Sequence, residues 1–111
     1  FLAGFSQGGA MALHCGLRHA STLGGIIALS TYLPLANKIT SETNPSNKNT
    51  PIFLAQGQFD PVVPPFLTQH THNTLKTLNN RTTYHSYPMA HSVCSEELLD
   101  ISNWLTTLMQ P

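Results

Sequence analysis

The 111-residue sequence predicts an α/β fold in which a mostly parallel sheet is flanked by helices. Three short, continuous apolar runs, FLAGF (1–5), IIALS (26–30) and PIFLAQG (51–57), have the composition of strands covered on both faces, as parallel sheets require. Between them lie segments whose apolar residues recur at spacings of three and four, the mark of a one-sided helix. The resulting order is strand, helix, strand, loop, strand, helix, strand, helix. Such alternation argues for parallel strands joined by crossover connections.

Each element has its own local reason. Residues 1–5 read as the end of a buried strand, and QGGAMALHCGLRH (7–19) carries Ala10, Leu13 and Leu17 on one helical face. Gly24 and Gly25 punctuate the chain before IIALS, and Pro34 stops that strand. Residues 36–50 are rich in Asn, Ser, Thr and Lys, which predicts a solvated connection with room for a short helical turn. PIFLAQG ends at a glycine, and FDPVVPP turns the chain into a helix over 65–79. There Pro65 stands near N1, and the apolar set is Phe66, Leu67, Leu75 and Leu78. RTTYHSYP (81–88) is a β-rich stretch closed by Pro88. In the final helix, SEELLDISNWLTTLM (95–109), Ser95 is the expected N-cap and Glu96 and Glu97 complement the positive helix end. Leu98, Ile101, Leu105 and Leu108 form its expected core stripe. Neither repeats nor an internal boundary interrupt residues 1–111, so one domain is expected.

Composition excludes several classes of function. Five basic and five acidic side chains cancel, which leaves no electrostatic footprint for nucleic acid. No apolar run approaches the roughly 18 residues of a membrane span, so no transmembrane segment is expected. Cys15 and Cys94 lie far apart and outside any CxxC pattern, and reduced thiols in a cytoplasmic protein are the expectation. His14 and His19 diverge on a helix, as do His70 and His72, and HExxH is absent, so no metal site is expected. Phe1 is no initiator, and the chain is expected to be part of a longer one.

Gly4-Phe5-Ser6-Gln7-Gly8 is a G-x-S-x-G pattern lying between an expected strand and an expected helix. A sharp turn there would push Ser6 into a strained backbone conformation and lift its hydroxyl above the sheet edge. The Gln7 N–H, backed by the helix dipole, would face a developing oxyanion. Serine is a poor nucleophile unless a base, itself held by a third group, removes its proton. In this architecture the acid and then the histidine follow the serine, each past a strand end.

Only two aspartates occur. Asp60 stands three residues past PIFLAQG in a proline-rich turn, whereas Asp100 falls within the last helix. A turn-forming role before proline is the competing reading for Asp60. Glu42, Glu96 and Glu97 occupy a polar loop and a helix start, poor places for a buried partner. His91 lies in the loop after the last strand, while His85 falls inside a strand and the other four on helices. Ser6, Asp60 and His91 are therefore the expected catalytic residues.

The segments GFSQGGAMAL (4–13), GGIIALSTYLP (24–34), QGQFDPVVP (56–64) and YPMAHSVCSEE (87–97) resemble the acyl-protein thioesterase/carboxylesterase family of α/β-hydrolases, also described as phospholipase/carboxylesterase. The resemblance looks closest to bacterial members and covers nearly the whole chain. It implies a serine hydrolase of carboxylic ester or thioester bonds, with Ser6 as nucleophile, Asp60 as orienting acid, His91 as base and Gln7 supplying one oxyanion-hole N–H. It implies no cofactor. Acyl esters or thioesters are the implied substrates, lipidated proteins and lysophospholipids among them, and a homodimer is an assembly open to it. Leu33, Val63 and Phe66 are candidate walls of an acyl trough, with core packing as the competing role.

Two departures stand out. Gln56-Gly57 replaces the family's usual His-Gly before the acid turn. Family chains are also about twice as long, so this chain is expected to be the C-terminal half of an α/β-hydrolase domain. The absent half would hold the second oxyanion donor, whose loss typically costs roughly 100- to 1000-fold in turnover. The isolated 111 residues are accordingly expected to be unstable or inactive. Related hydrolases, such as dienelactone-hydrolase-like enzymes or peptidases, and a non-catalytic binding remnant remain the alternatives.

Overall fold

The computed structural model describes residues 1–79 and 81–110. Four strands, β1 (Leu2–Phe5), β2 (Ile26–Leu29), β3 (Ile52–Gly57) and β4 (Thr82–Tyr87), form one sheet in the order β1-β2-β3-β4. All three pairings are parallel, and Leu2, Ile26, Ile52 and Thr82 lie in register. The carboxyl ends of the strands therefore finish at one edge of the sheet. Every residue of the inner strand β3 is buried, as its unbroken apolar run requires. The edge strands β1 and β4 are only partly covered.

Among the described residues the α-helices are α1 (Gln7–Arg18), α2 (Ile39–Glu42), α3 (Pro65–Leu78) and α4 (Ser95–Met109). Because strand side chains alternate, the sheet makes two cores. Ile26, Ala28, Ile52 and Leu54 join Leu13 and Leu17 of α1, Ile39 of α2 and Leu75 of α3. Ile27, Phe53, Ala55 and Tyr87 face the opposite way, toward Ile101, Trp104 and Leu105 of α4.

Three elements differ from the sequence expectation. The connection over 36–50 does hold short helical turns, at Ala36–Lys38 and Pro45–Asn47 around α2, but it is anchored in the core rather than solvated throughout. Ile39 is fully buried there. Asn47, 1% exposed, donates from Nδ2 to the carbonyls of His19 and Ser21 and accepts at Oδ1 from Leu23 N–H and the Thr50 hydroxyl. On α3 the inward face is Thr68, Thr71 and Leu75, while Phe66 stands 67% exposed. On α4 the N-cap is Cys94, and Leu98 points outward at 57% exposure. The inward face of α4 is instead Glu97, Ile101, Trp104 and Leu105, a stripe rotated so that Trp104 meets the edge of the Phe53 ring. Hydrophobicity alone cannot rank a buried Thr or Glu above an exposed Leu; the packing partner does that. Cys15 and Cys94 are both free thiols, Cys15 exposed and Cys94 partly buried.

Candidate active site

Strand β1 ends at Phe5 and α1 begins at Gln7, so Ser6 alone makes the turn. Its φ of 57° and ψ of −120° lie outside the regions open to most L-residues. The turn is closed by hydrogen bonds from Ser6 N–H to Leu29 O (2.8 Å) and from Ala10 N–H to Ser6 O (3.1 Å). Gly4 is required here: a Cβ at this position would collide with the Gly8 carbonyl. Gln7 is the first residue of a twelve-residue helix, with an exposed side chain. Its N–H belongs to the helix-start donors that find no partner within the helix, at the positive end of the dipole.

Asp60 follows β3 in a turn tied by Asp60 N–H to Gly57 O (3.3 Å). Its side chain is buried. Oδ1 accepts from the backbone N–H groups of Val62 (2.8 Å) and Val63 (2.9 Å), while Oδ2 lies 2.7 Å from His91 Nδ1. Burial alone would raise the pKa of this carboxyl. The Val63 N–H, the His91 hydrogen bond, the Val62 N–H and the His91 charge together outweigh burial and hold it below its ordinary 3.8. It is therefore an acceptor-only carboxylate at neutral pH, and His91 Nδ1 is the donor. That leaves Nε2 free to accept the Ser6 hydroxyl, 3.0 Å away.

The loop that carries His91 is laced to the acid turn through the backbone. Gln58 N–H donates to Tyr87 O (2.8 Å) and Phe59 N–H to Met89 O (3.1 Å). Gly57 lies directly beneath this loop, where any Cβ would strike the carbonyls of Met89 and Ala90. The Phe5 ring packs against the imidazole with centroids 4.8 Å apart. Ser6, His91 and Asp60, separated by up to 85 positions, thus form one hydrogen-bonded line at the carboxyl edge of the sheet.

The other singled-out residues are placed as follows. Leu33 lies in the core with α1 and α3, Val63 is 6% exposed beside Asp60, and Phe66 stands open at the start of α3. Gln56 is buried and donates from Nε2 to Ser86 Oγ at 3.2 Å, so the turn after β3 forms with glutamine before Gly57. Sequence reasoning did not single out the Phe5 ring on His91 or the two valine N–H groups on Asp60. An aspartate before proline that turns the chain on itself is the available signal for the latter. Among the described residues, no group of three or more His, Cys, Asp and Glu is arranged to hold a metal ion. No helix there is long and apolar enough to cross a membrane.

Comparison with known proteins gives a consistent result. The family model described as phospholipase/carboxylesterase matches residues 1–109. Acyl-protein thioesterase 1 of Neurospora crassa is 48% identical over 109 residues, which cover 95% of this chain and 44% of that protein. The protein of the same name from Mycosarcoma maydis is 42% identical, with 94% and 45% covered. Among solved structures, Arabidopsis thaliana SOBER1 superposes with a TM-score of 0.91 at 31% identity, over 97% of this chain and 52% of that one. Zea mays acyl-protein thioesterase 2 does so at 0.88 and 26%, over 97% and 55%. The chain spans about half the length of the curated relatives it matches. Those relatives are fungal, so the expected leaning toward bacterial members is not supported.

Proposed function

The chain belongs to the phospholipase/carboxylesterase family, and from that premise we propose that it carries the catalytic residues of a serine hydrolase acting on acyl esters or thioesters. The observation that carries this reading is the continuous relay from Ser6 Oγ through the His91 ring to Asp60, at 3.0 and 2.7 Å.

In the proposed mechanism Ser6 Oγ attacks the acyl carbonyl carbon as His91 Nε2 takes the hydroxyl proton. Asp60 keeps the ring in the tautomer with Nδ1 protonated and stabilises the imidazolium that forms. The Gln7 N–H receives the negative oxygen of the tetrahedral intermediate, where a fixed donor is worth most because its dipole is already oriented. Collapse expels the alcohol or thiol, which leaves with the proton from His91, and an acyl-serine remains. Water then attacks that ester with His91 again as base, releasing the carboxylic acid and restoring Ser6.

Relatives named acyl-protein thioesterase support acylated protein thioesters as the substrate class. In this reading the second oxyanion donor lies outside residues 1–111, in the remainder of a single α/β-hydrolase domain. The test is hydrolysis of a p-nitrophenyl ester by the full-length protein and its Ser6→Ala variant. A loss of at least about 10^4-fold is expected. Residual turnover within tenfold of the parent would refute the assignment. Labelling by a fluorophosphonate that maps to Ser6 distinguishes the enzyme from a binding remnant.

A further inference from the structure

Strand β2 supplies none of the three relay residues, yet the polar pair that follows it is almost wholly enclosed: Ser30 is 1% and Thr31 0% exposed. The Thr31 hydroxyl donates to the Ser6 carbonyl at 2.6 Å, shorter than the 3.1 Å bond that Ala10 N–H makes to the same oxygen. The peptide after the strained Ser6 is therefore gripped by two donors, one from its own helix and one from the segment that follows β2. Thr31 is itself held. Its methyl packs over Gly9, where an added Cβ would come within 2.8 Å of it, and its carbonyl accepts from Thr68 Oγ1 at 3.0 Å. Two residues on, Leu33 N–H donates to Thr71 Oγ1 at 2.8 Å. The two buried threonines of α3 thus anchor the segment 31–33, and that segment anchors the serine turn. At Ser30 the backbone takes a φ of 49°, and the Ser30 hydroxyl reaches Ser92 O at 3.4 Å, a long contact beside His91.

We propose that Thr31 is a positioning residue for the nucleophile: its hydroxyl fixes the Ser6 peptide plane so that Oγ stays within reach of His91 Nε2. The physical case is geometric. A single hydrogen bond contributes little to folding, but a misplacement of the reacting atom of about 1 Å can cost around 100-fold in rate. Thr31 touches neither substrate nor reacting atoms, so its effect falls on turnover and not on substrate binding. This inference rests on Ser6 being the nucleophile.

The test compares Thr31→Val, Thr31→Ser, Thr68→Val and Ser6→Ala in the full-length protein with a water-soluble p-nitrophenyl ester, kcat being normalised to the folded fraction from a thermal melt. Valine keeps the methyl packing against Gly9 and deletes the donor; serine does the reverse. Thr31→Val is expected to lower kcat by about 10- to 100-fold with KM within about twofold, and Thr31→Ser to recover kcat to within about threefold of the parent. Thr68→Val, acting one bond further out and outside the Gly9 contact, is expected to lower kcat by about 3- to 10-fold, and it decides the matter if Thr31→Val does not fold. A folded Thr31→Val within twofold of the parent, a Thr31→Ser as impaired as Thr31→Val, or an unchanged Thr68→Val alongside an unfolded Thr31→Val would each overturn the proposal. Persistent turnover in Ser6→Ala refutes the nucleophile assignment itself and this inference with it; an inactive Ser6→Ala beside an unaffected Thr31→Val refutes only the positioning role.

Discussion

On one face of the sheet Leu13, Ile26, Ile52, Leu54 and Leu75 are wholly enclosed between the strands and helices α1 and α3, whereas on the other face α4 places only Glu97 out of solvent and leaves Ile101, Trp104 and Leu105 half-covered. The centre of the first face is aliphatic and closely packed, with the Thr68 and Thr71 hydrogen bonds at its border. The second relies on directed contacts. Phe53 stacks on His85 at 4.3 Å and meets Trp104 edge-on at 5.7 Å, and the Tyr87 hydroxyl donates to Asp100 at 2.7 Å. The relay straddles the two. Ser6 is held by β2 and α1, and Asp60 by its own turn after β3, while His91 precedes α4 and owes its place to backbone bonds and to Asp60 rather than to a deep core. His91 is the member of the relay whose support is narrowest.

Among changes that leave Ser6 in place, removing that narrow support should have the largest effect. Asp60→Asn leaves an amide that no longer dictates the His91 tautomer, and kcat for ester hydrolysis by the full-length protein is expected to fall about 10^3- to 10^4-fold. A change of less than tenfold would mean that the loop alone holds His91 in place.

The contrast between the faces predicts unequal cavity costs. Leu54→Ala, on the enclosed side, should destabilise by about 2–5 kcal/mol in urea unfolding, against about 1 kcal/mol for Leu105→Ala on α4. Equal losses would erase the distinction.

Smaller in size, but opposite in sign, is the effect expected at Glu97. Burial raises its pKa above the ordinary 4.5, opposed by the nearby Cys94 N–H, and neither carboxyl oxygen meets hydrogen-bonding geometry with a partner. Its neutral form contributes stability fully present below pH 4.5, and that contribution is lost as pH rises through the raised value. Asp60 behaves oppositely: its contribution is present above 3.8 and lost as pH falls through its lowered value. Glu97→Gln, which cannot ionise, should therefore stabilise the full-length protein at pH 8, with a much smaller gain at pH 4.5. Unfolding curves at the two pH values check this, and an equal gain at both would show that ionisation is not the cause.

Much of this organisation is legible in the sequence because it is local. Apolar runs bounded by glycine and proline mark β2 and β3, a lone serine between Gly4 and Gly8 marks the turn into α1, and Asp60 and His91 stand past the next strands in the order that the turn demands. Sequence and structure part where a helix must choose its inward face. Phe66 and Leu98 have the hydrophobicity of core residues and lie outside, while Thr68, Thr71 and Glu97 lie within. The hydroxyls of Thr68 and Thr71 are satisfied by the backbone at residues 31–33, a partner nearly forty positions away that no window along the chain contains. Asn47 is the same case in the loop expected to be solvated.

The sequence by itself determined the alternating α/β order, the sharp turn at Ser6 and the identity of the three residues available for a relay, because strand and helix periodicity and turn chemistry depend on near neighbours. Only the tertiary structure decided that Thr31 grips the Ser6 carbonyl, that α4 turns Glu97 and not Leu98 inward, and that His91 hangs from the Asp60 turn above Gly57. Those outcomes depend on which distant surface comes to cover each side chain, and a buried polar group is tolerated only where that surface supplies its hydrogen-bond partner or allows it to stay neutral.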